Sequence, residues 1–264
     1  MSESDVPQVF TADYYNSEYF AGEGGGKRFK RPTGIDKWSY FNESGESIGT
    51  LDIAKAWKTM FNPKTALDIG CGRGTTVAYM RDAGIEAEGF DWSKWAVTEA
   101  PIFKDGKRHW KRGGKYERCR QEWVWRQDAT ETPWKKDGLP LPDKHYDLVT
   151  AIDLYEHIYS QDIDRVAAEI DRVAKEWIFL EIATVDGVRE KGYVLRKGEP
   201  HPDILEPNMV AGHVAVCTCE FWIDKFSAYE WELRRDMREW FVSLVPENAI
   251  HNWLLNTILI FRKI

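Results

Sequence analysis

The sequence predicts a doubly wound α/β domain built around a mostly parallel sheet. Strand-like and helix-like segments alternate from residue 64 to residue 183, which is typical of consecutive βαβ units. A glycine-rich turn follows the first predicted strand, and an acidic residue stands at the end of each of the first four strands. Ligands bind at the carboxyl ends of the strands in such sheets, so these acids predict a binding site at one edge.

Each element is predicted from its own pattern. Apolar residues at helical spacing predict helices over 47–61, 75–83, 93–100, 160–174, 218–228 and 235–244. Short apolar runs bounded by turn residues predict seven strands, over 64–69, 85–90, 123–127, 146–152, 177–183, 230–234 and 257–261. The four acids at strand ends are Asp68, Asp91, Asp128 and Asp153.

The chain divides into an arm and one domain. Residues 1–46 have little periodic structure and a glycine cluster at 22–26, so we interpret them as an N-terminal arm. This arm is either a lid over the site or a loose terminus that packs a few aromatic residues. Residues 47–264 are predicted to form a single domain, with insertions at about 102–122 and 185–213.

Composition narrows the class of protein. The chain has 264 residues, a net charge of −7 and four cysteines. Four cysteines in a chain of this length do not suggest a disulfide framework. The negative net charge does not by itself suggest a nucleic-acid binder. No apolar run is long enough for a membrane span, and the first residues lack the apolar core of a signal peptide. We therefore expect a cytoplasmic protein with no membrane association and leave its oligomeric state open.

The glycine loop restricts the ligand. A buried-strand pattern ends in Asp68-Ile69-Gly70-Cys71-Gly72-Arg73-Gly74. Glycines at alternate positions allow a sharp turn and a close approach of the backbone to a ligand. The spacing differs from the dinucleotide fingerprint, and no Gly-Lys-Ser/Thr ending is present. The loop therefore suits a ligand without a polyphosphate.

This stretch resembles motif I of the class I S-adenosylmethionine (SAM) dependent methyltransferases. The resemblance covers residues 50–183 well and 215–264 more loosely. It implies a Rossmann-like sheet of seven strands whose C-terminal strand is antiparallel, with SAM as the cofactor. Asp153-Leu154-Tyr155-Glu156-His157-Ile158 resembles the stretch after the fourth strand in small-molecule and sugar-type members.

The resemblance also implies roles for individual residues. Asp91 would accept hydrogen bonds from both ribose hydroxyls of SAM, and Asp128 with the Ala129 backbone would meet the adenine. Trp92 would pack on the adenine or in the core. The cofactor-binding residues implied in this way are Asp68, Gly70, Cys71, Gly72, Gly74, Asp91, Trp92, Asp128, Ala129, Asp153 and Leu154.

The methyl acceptor is less constrained. His157 and His213 are the candidate catalytic residues, because histidine titrates near neutrality and can accept a proton from a hydroxyl; the alternative for His157 is a purely structural role in the loop. Substrate-binding candidates are Tyr15, Tyr19, Arg108, Arg112 and His201. Cys217 and Cys219 with His213 are spaced too tightly for a usual zinc site, so no metal is expected.

A basic insertion gives the one indication of acceptor chemistry. Residues 104–120 contain eight Lys and Arg against two acids, with Trp110 and Tyr116 among them. This composition suits either an anion-binding flap or a solvated loop. We expect methyl transfer to an O or N atom of a small acceptor that is anionic, phosphorylated or nucleotide-linked. The alternatives are RNA or another nucleic-acid end as acceptor, and a SAM-binding protein that transfers no methyl group.

Overall fold

A computed structural model describes residues 10–15, 50–99, 110–112, 115–117, 121–185, 192–200, 212–245 and 257–264. Its centre is a single sheet of seven strands. We label these strands β1 (Thr65–Ile69), β2 (Glu86–Asp91), β3 (Val124–Arg126), β4 (Tyr146–Ile152), β5 (Ala174–Glu181), β6 (Trp231–Leu233) and β7 (Ile258–Lys263).

The strand order across the sheet is β6-β7-β5-β4-β1-β2-β3. Pairs from β5 through β4, β1 and β2 to β3 are parallel, whereas β7 is antiparallel to both β5 and β6. The mostly parallel, doubly wound sheet with an antiparallel C-terminal strand is therefore confirmed. The order reverses between β1 and β4, which is the place where such sheets open a crevice for ligands.

Five α-helices lie among the described residues: α1 (Thr50–Phe61), α2 (Thr75–Asp82), α3 (Ser160–Val173), α4 (Cys219–Ser227) and α5 (Arg235–Leu244). Contacts join α1 to α2 and α5, and α3 to α4. Two apolar cores result, one holding Trp57, Met80 and Phe241 and the other holding Val166, Ile170 and Phe226. Strands enclosed between helices read as nearly continuous apolar runs, which is why the sequence pattern located them.

The helix α3 shows how the pattern gives the packing. Ile163, Val166, Ala167, Ile170 and Val173 are all buried, and the spacing of three and four residues puts them on one face. The helix ends where β5 begins, at Ala174. The predicted strand over 177–183 therefore starts three residues too late, because β5 already begins at Ala174, which pairs with Tyr146 of β4.

Several predicted loops and one predicted helix differ in detail. The helix expected over 93–100 is a π-helical turn over Trp95–Glu99; its entry is fixed by the Ser93 hydroxyl, which accepts from the Ala96 amide at 3.0 Å. The first insertion contains a short antiparallel strand pair, 110–112 with 115–117, and residues 193–194 of the second insertion pair with residues 215–216, which follow it. Another pair, 135–136 with 139–140, lies in the proline-containing loop. Two-residue strands have too little pattern to be predicted.

The boundaries at residue 46, the arm as a unit and the insertion limits stay predictions. Most of the arm lies outside the described residues, which include only 10–15 of it. In the part of the chain that is described, every helix is too short or too polar to cross a membrane.

Candidate functional site

The carboxyl ends of the parallel strands bring the predicted acids to one edge of the sheet. Asp68 in β1 is the register partner of Thr150 in β4 and of Gly89 in β2. Asp91, the last residue of β2, pairs with Arg126 of β3. The edge therefore unites side chains that are far apart in sequence.

Hydrogen bonds from its backbone hold the glycine loop against β2. The amides of Gly70 and Cys71 both donate to the Phe90 carbonyl, at 2.9 and 3.0 Å. The Gly72 amide donates to Oδ2 of Asp91 at 2.8 Å. Gly70, Gly72 and Gly74 all have positive φ angles, of 72°, 53° and 68°, a region that side-chain-bearing residues adopt at a cost.

Gly89 in β2 allows this close approach. A Cβ atom there would lie 2.7 Å from the Asp68 carbonyl oxygen and 2.9 Å from Cβ of Cys71. Both neighbours are held by backbone or by a short side chain, so neither can move away cheaply. The loop can therefore lie on β2 only because residue 89 has no side chain.

Asp68 is almost fully buried, and its carboxyl accepts a 2.7 Å hydrogen bond from the Thr150 hydroxyl. Burial raises its pKa to about 7, against the opposing effect of the Thr150 hydrogen bond, and the negative charge of Asp91 adds to the rise. A carboxyl group that titrates near neutrality at a strand end can respond to a bound cation or donor.

Asp128 lies two residues beyond β3. Its Oδ1 accepts from both the amide and the hydroxyl of Thr130, each at 2.8 Å. Among the described residues no donor reaches Oδ2 of Asp128. The next residue, Ala129, is buried, and its carbonyl accepts from the indole of Trp134 at 2.8 Å. The turn is thus fixed from one side, and one carboxyl oxygen is left for a ligand.

The turn after β4 lies against the glycine loop. A Cβ atom on Gly70 would lie 3.1 Å from Cδ1 of Leu154, so Leu154 packs directly on the loop. Asp153 adopts a φ of 50°, which is uncommon for a residue with a side chain. Its amide donates to the Glu181 carbonyl at 3.0 Å, which holds this turn to the end of β5.

Three carboxyl groups meet behind this turn, those of Asp153, Glu156 and Glu181. Burial raises the pKa of all three, and the charge of Asp153 raises the pKa of Glu156 and of Glu181 further. Glu156 and Glu181 are nearly inaccessible to solvent. Hydrogen bonds from the Ala183 amide to Glu156 Oε1 and from the Thr257 hydroxyl to Glu181 Oε1 fix their positions.

His157 and His213 lie side by side at the open end of this group. Their ring centroids are 5.0 Å apart at an interplanar angle of 79°. The Val214 amide donates to the Glu156 carbonyl at 2.6 Å, which ties the two segments together. Burial lowers the pKa of His157 to about 4, and the hydrogen bond to the Gly212 carbonyl acts in the opposite direction.

The tautomer of His157 follows from its neighbour. Its Nδ1 lies 3.1 Å from the carbonyl oxygen of Gly212. A carbonyl oxygen only accepts, so this contact needs the proton on Nδ1 and leaves the lone pair on Nε2. The hydroxyl of Tyr15 also lies near Nδ1, at 3.3 Å.

Residues 10–15 cross the site and connect its two halves. The Ser93 hydroxyl donates to the Tyr15 carbonyl, and the Tyr15 ring lies 5.5 Å from His157 and 6.2 Å from Trp92, centroid to centroid. At the other end of this segment, the Phe10 amide donates to the Tyr159 hydroxyl at 3.2 Å. We call residues 10–15 the strap.

The structure thus brings together most of the predicted site. Tyr15, the glycine loop, Asp91, Trp92, Leu154, His157 and His213 are joined by the contacts above, whereas the Asp153 carboxyl turns toward Glu156 and Glu181. Tyr19, Arg108 and His201 lie outside the described residues, and Arg112 is placed in a short strand without a described side chain.

Sequence reasoning overlooked Ser93, Glu156, Glu181, Gly89 and Gly212 as parts of the site. Two of them carried a usable signal. Gly89 is a glycine inside a predicted strand, which often marks a close backbone approach, and Glu156 directly precedes a candidate histidine. Glu181 looked like an ordinary strand residue, so no pattern could have placed it.

Comparisons with known proteins agree with this fold. The family model described as a methyltransferase domain matches residues 50–257. No curated protein matches the chain. Among solved structures, the complex of the Haloferax volcanii Trm112 methyltransferase activator with its methyltransferase has a TM-score of 0.51 at 14% identity, covering 81% of this chain and 88% of that chain.

A second solved structure is the plantazolicin methyltransferase BpumL with a triazolic desmethylPZN analog and SAH. It has a TM-score of 0.50 at 12% identity and covers 83% of this chain and 86% of that chain. Likeness at such identities shows the fold alone, whereas the family match spans most of the chain. The chain therefore belongs to the class I SAM-dependent methyltransferases, and SAM as cofactor is confirmed with it.

Proposed function

We propose that the protein transfers the methyl group of SAM to an oxygen or nitrogen atom of a small, anionic acceptor. The observation that carries this proposal is the position of Tyr15. The Tyr15 carbonyl accepts a hydrogen bond from the hydroxyl of Ser93, which follows the predicted ribose ligand Asp91 by two residues. The Tyr15 ring lies against the ring of His157. Donor and acceptor groups therefore adjoin at one edge of the sheet.

The residues of the donor half fit SAM. Gly70, Gly72 and Gly74 leave three positions of the loop without a side chain. Asp91 keeps its carboxylate beside that loop by accepting hydrogen bonds from the Gly72 and Ser93 amides at 2.8 and 2.7 Å. A carboxylate can accept from two neighbouring hydroxyls at once. In this proposal Asp91 holds the ribose, Asp128 and Ala129 meet the adenine, and the loop with Leu154 lies along the methionine.

The reaction asks little covalent chemistry of the protein. The bond between the sulfonium and its methyl group breaks, its electron pair stays on sulfur, and the acceptor's lone pair forms the new bond. The acceptor's proton leaves to a base or to water. The chain's contribution is to hold the nucleophile in line with the methyl group and to exclude water.

His157 and His213 face the acceptor in this arrangement. At neutral pH His157 is uncharged, since its pKa is lowered to about 4, and Nε2 carries a lone pair. A neutral imidazole at this place can serve the reaction in two ways. It can take part in removing the acceptor's proton, or it can hold a cation that binds the acceptor.

The acceptor class is inferred from charge. The basic insertion contains the antiparallel strand pair 110–112 with 115–117, and three of its basic residues, Lys111, Arg112 and Lys115, lie in these two strands. We infer an anionic acceptor because eight Lys and Arg stand against two acids in residues 104–120. An RNA end would use the same positive charge and is the alternative.

The test is incubation with methyl-labelled SAM and either a small-metabolite pool or an RNA pool. We expect label in a small anionic product together with release of S-adenosylhomocysteine. Label in RNA only would show that the acceptor is RNA rather than a small molecule. SAM binding without turnover on either pool would show that the protein transfers no methyl group.

A variant of the insertion tests the flap separately. Neutralising Arg108, Lys111, Arg112 and Lys115 together should raise the acceptor KM and leave SAM affinity unchanged. A matched control neutralises four exposed positions elsewhere, Lys55, Lys64, Lys135 and Arg235. Equal acceptor KM values for both variants would show that the insertion is a solvated loop that does not bind the acceptor.

A further inference from the structure

We propose that Glu156, His157 and His213 form a binding site for one divalent first-row transition-metal cation, at the acceptor end of the site. One side-chain ligand atom from each residue lies within 4.8 Å of the other two. Ligands of a bound ion at about 2.1 Å would be roughly 3–3.5 Å apart, so small side-chain rotations close the set. The sequence predicted no metal site, on the spacing of Cys217 and Cys219 with His213; of these three residues only His213 belongs to the cluster proposed here.

The surroundings of His157 are those of a metal ligand. Its Nδ1–H donates to the Gly212 carbonyl at 3.1 Å, which leaves Nε2 as the nitrogen able to bind a cation. Histidines that bind metals generally donate their other ring N–H to a carbonyl or a carboxylate, which fixes tautomer and orientation. The cluster therefore has one imidazole already prepared.

The buried carboxyl group of Glu156 also favours a bound cation. Its side chain is fully buried, Oε1 accepts from the Ala183 amide at 3.1 Å, and Oε2 has no N–H donor in the described part of the chain. Asp153 and Glu181 add two more carboxyl groups, and no described Lys or Arg forms an ion pair with any of the three. Buried carboxylates without a cationic partner are costly, and a bound cation would compensate them.

The ligand types indicate which cations would bind. Two imidazole nitrogens and one carboxylate oxygen suit Mn²⁺, Fe²⁺, Co²⁺ or Zn²⁺, whereas Mg²⁺ and Ca²⁺ prefer oxygen ligands only. Three protein ligands leave coordination positions open. Resting on the proposed function, an acceptor hydroxyl bound there would lose its proton to solvent more easily, and the resulting oxygen anion would attack the methyl group.

The experiment measures metal binding directly, so that an unidentified acceptor does not matter. Tag-free protein is stripped with EDTA and titrated with Mn²⁺ by calorimetry and by electron paramagnetic resonance. We expect one Mn²⁺ per chain and ¹⁴N modulation from imidazole in the pulsed spectrum. Glu156→Gln and His213→Gln should each weaken binding by about tenfold or more, and His213→Gln should also reduce the ¹⁴N signal.

Matched controls separate ligand loss from damage to the fold. Glu239→Gln and His145→Gln change the same residue types at exposed positions and should bind Mn²⁺ as the unmodified protein does. Glu156→Gln keeps the oxygen that accepts from Ala183, so it should fold, and unchanged SAM affinity in that variant verifies this. The ¹⁴N signal would not respond to a merely structural role.

The outcomes for the metal and for the function are distinguishable. If the protein binds SAM but no Mn²⁺ up to about 1 mM, or if Glu156→Gln and His213→Gln bind as tightly as the controls, the metal site is refuted and methyl transfer stands. If Mn²⁺ binds as expected and SAM does not bind, the proposed function falls while the site remains.

Discussion

The amide of Gly72 donates a 2.8 Å hydrogen bond to Oδ2 of Asp91. This single contact joins the loop after β1 to the end of β2. Oδ1 of the same carboxylate accepts from the Ser93 amide at 2.7 Å, and the Ser93 hydroxyl in turn holds the strap. Asp91 therefore connects the glycine loop, the end of β2 and, through Ser93, the strap, and in the proposed function its carboxylate also binds the ribose of SAM.

Replacing Asp91 by Ala should lower SAM affinity by about 1–3 kcal/mol, because hydrogen bonds to a charged group are lost. Calorimetric titration with SAM measures this. Asp91→Asn keeps one carbonyl oxygen and should lose less than Asp91→Ala. Asp236→Ala, at an exposed position in α5, is the control. An unchanged SAM affinity in Asp91→Ala would remove this residue from the pocket.

Asp68 should make stability depend on pH. Its folded-state pKa is raised from 3.8 to about 7, so its contribution is complete below about pH 4 and is lost as the pH rises through 7. Asp68→Asn keeps an oxygen for the Thr150 hydroxyl and removes this titration.

Between about pH 4 and pH 7 the free energy of unfolding should therefore fall less steeply in Asp68→Asn than in the unmodified protein. The difference in slope should be up to about 1.4 kcal/mol per pH unit. Urea unfolding at several pH values measures it. Asp137→Asn, at an exposed turn, is the control, and parallel profiles for all three proteins would contradict the raised pKa.

The strap should slow the release of SAM. Ser93→Ala removes the hydroxyl that donates to the Tyr15 carbonyl, so the strap should open more often. We expect SAM to dissociate several-fold faster, about 2–10-fold for the loss of one hydrogen bond, as followed by stopped-flow tryptophan fluorescence.

Ser243→Ala serves as the control for this change, since it removes an exposed serine hydroxyl on α5 that donates to the Trp240 carbonyl one turn earlier. Ser93 also accepts from the Ala96 amide, so thermal unfolding is measured in parallel. Equal dissociation rates in the two serine variants would show that the strap does not cover the cofactor.

Gly89→Ala should destabilise the domain by about 1–3 kcal/mol through overpacking. The new Cβ would lie 2.7 Å from the Asp68 carbonyl oxygen, so the glycine loop must move and SAM affinity should fall as well. Gly84→Asn is the control, because its φ of +79° tolerates asparagine and no atom lies within 4 Å of the new Cβ. A variant with unchanged unfolding and SAM affinity would contradict the close approach.

Much of the fold was predictable because burial on both faces of the sheet leaves a strong signal. The strand Tyr146–Ile152 is an unbroken apolar run apart from Asp147 and Thr150, and it has the predicted limits. The helix Arg235–Leu244 was also predicted to the residue. The π-helical turn after Ser93 was not, because its geometry depends on one side-chain hydrogen bond rather than on a repeating pattern.

The donor half of the site was easier to predict than the acceptor half. The glycine loop is one contiguous segment, and the strand-end rule locates Asp68 and Asp91 without any contact information. The carboxyl cluster was missed because Glu156 and Glu181 meet only through the pairing of β4 with β5 and the turn that follows Asp153. Pairing of this kind is a property of the folded chain and leaves no local trace.

The strand order reverses between β1 and β4, and most residues proposed to bind the methyl donor lie on one side of this point in the sequence. Everything assigned to the methyl donor, apart from Asp153 and Leu154, precedes β4 in the chain, and the two histidines follow it. The proposed acceptor base or cation ligands could therefore change through the segments after β4 and β5, while the glycine loop, Asp91 and Asp128 stay as they are. A graft of those segments from a relative onto this chain would be the engineering counterpart of that change.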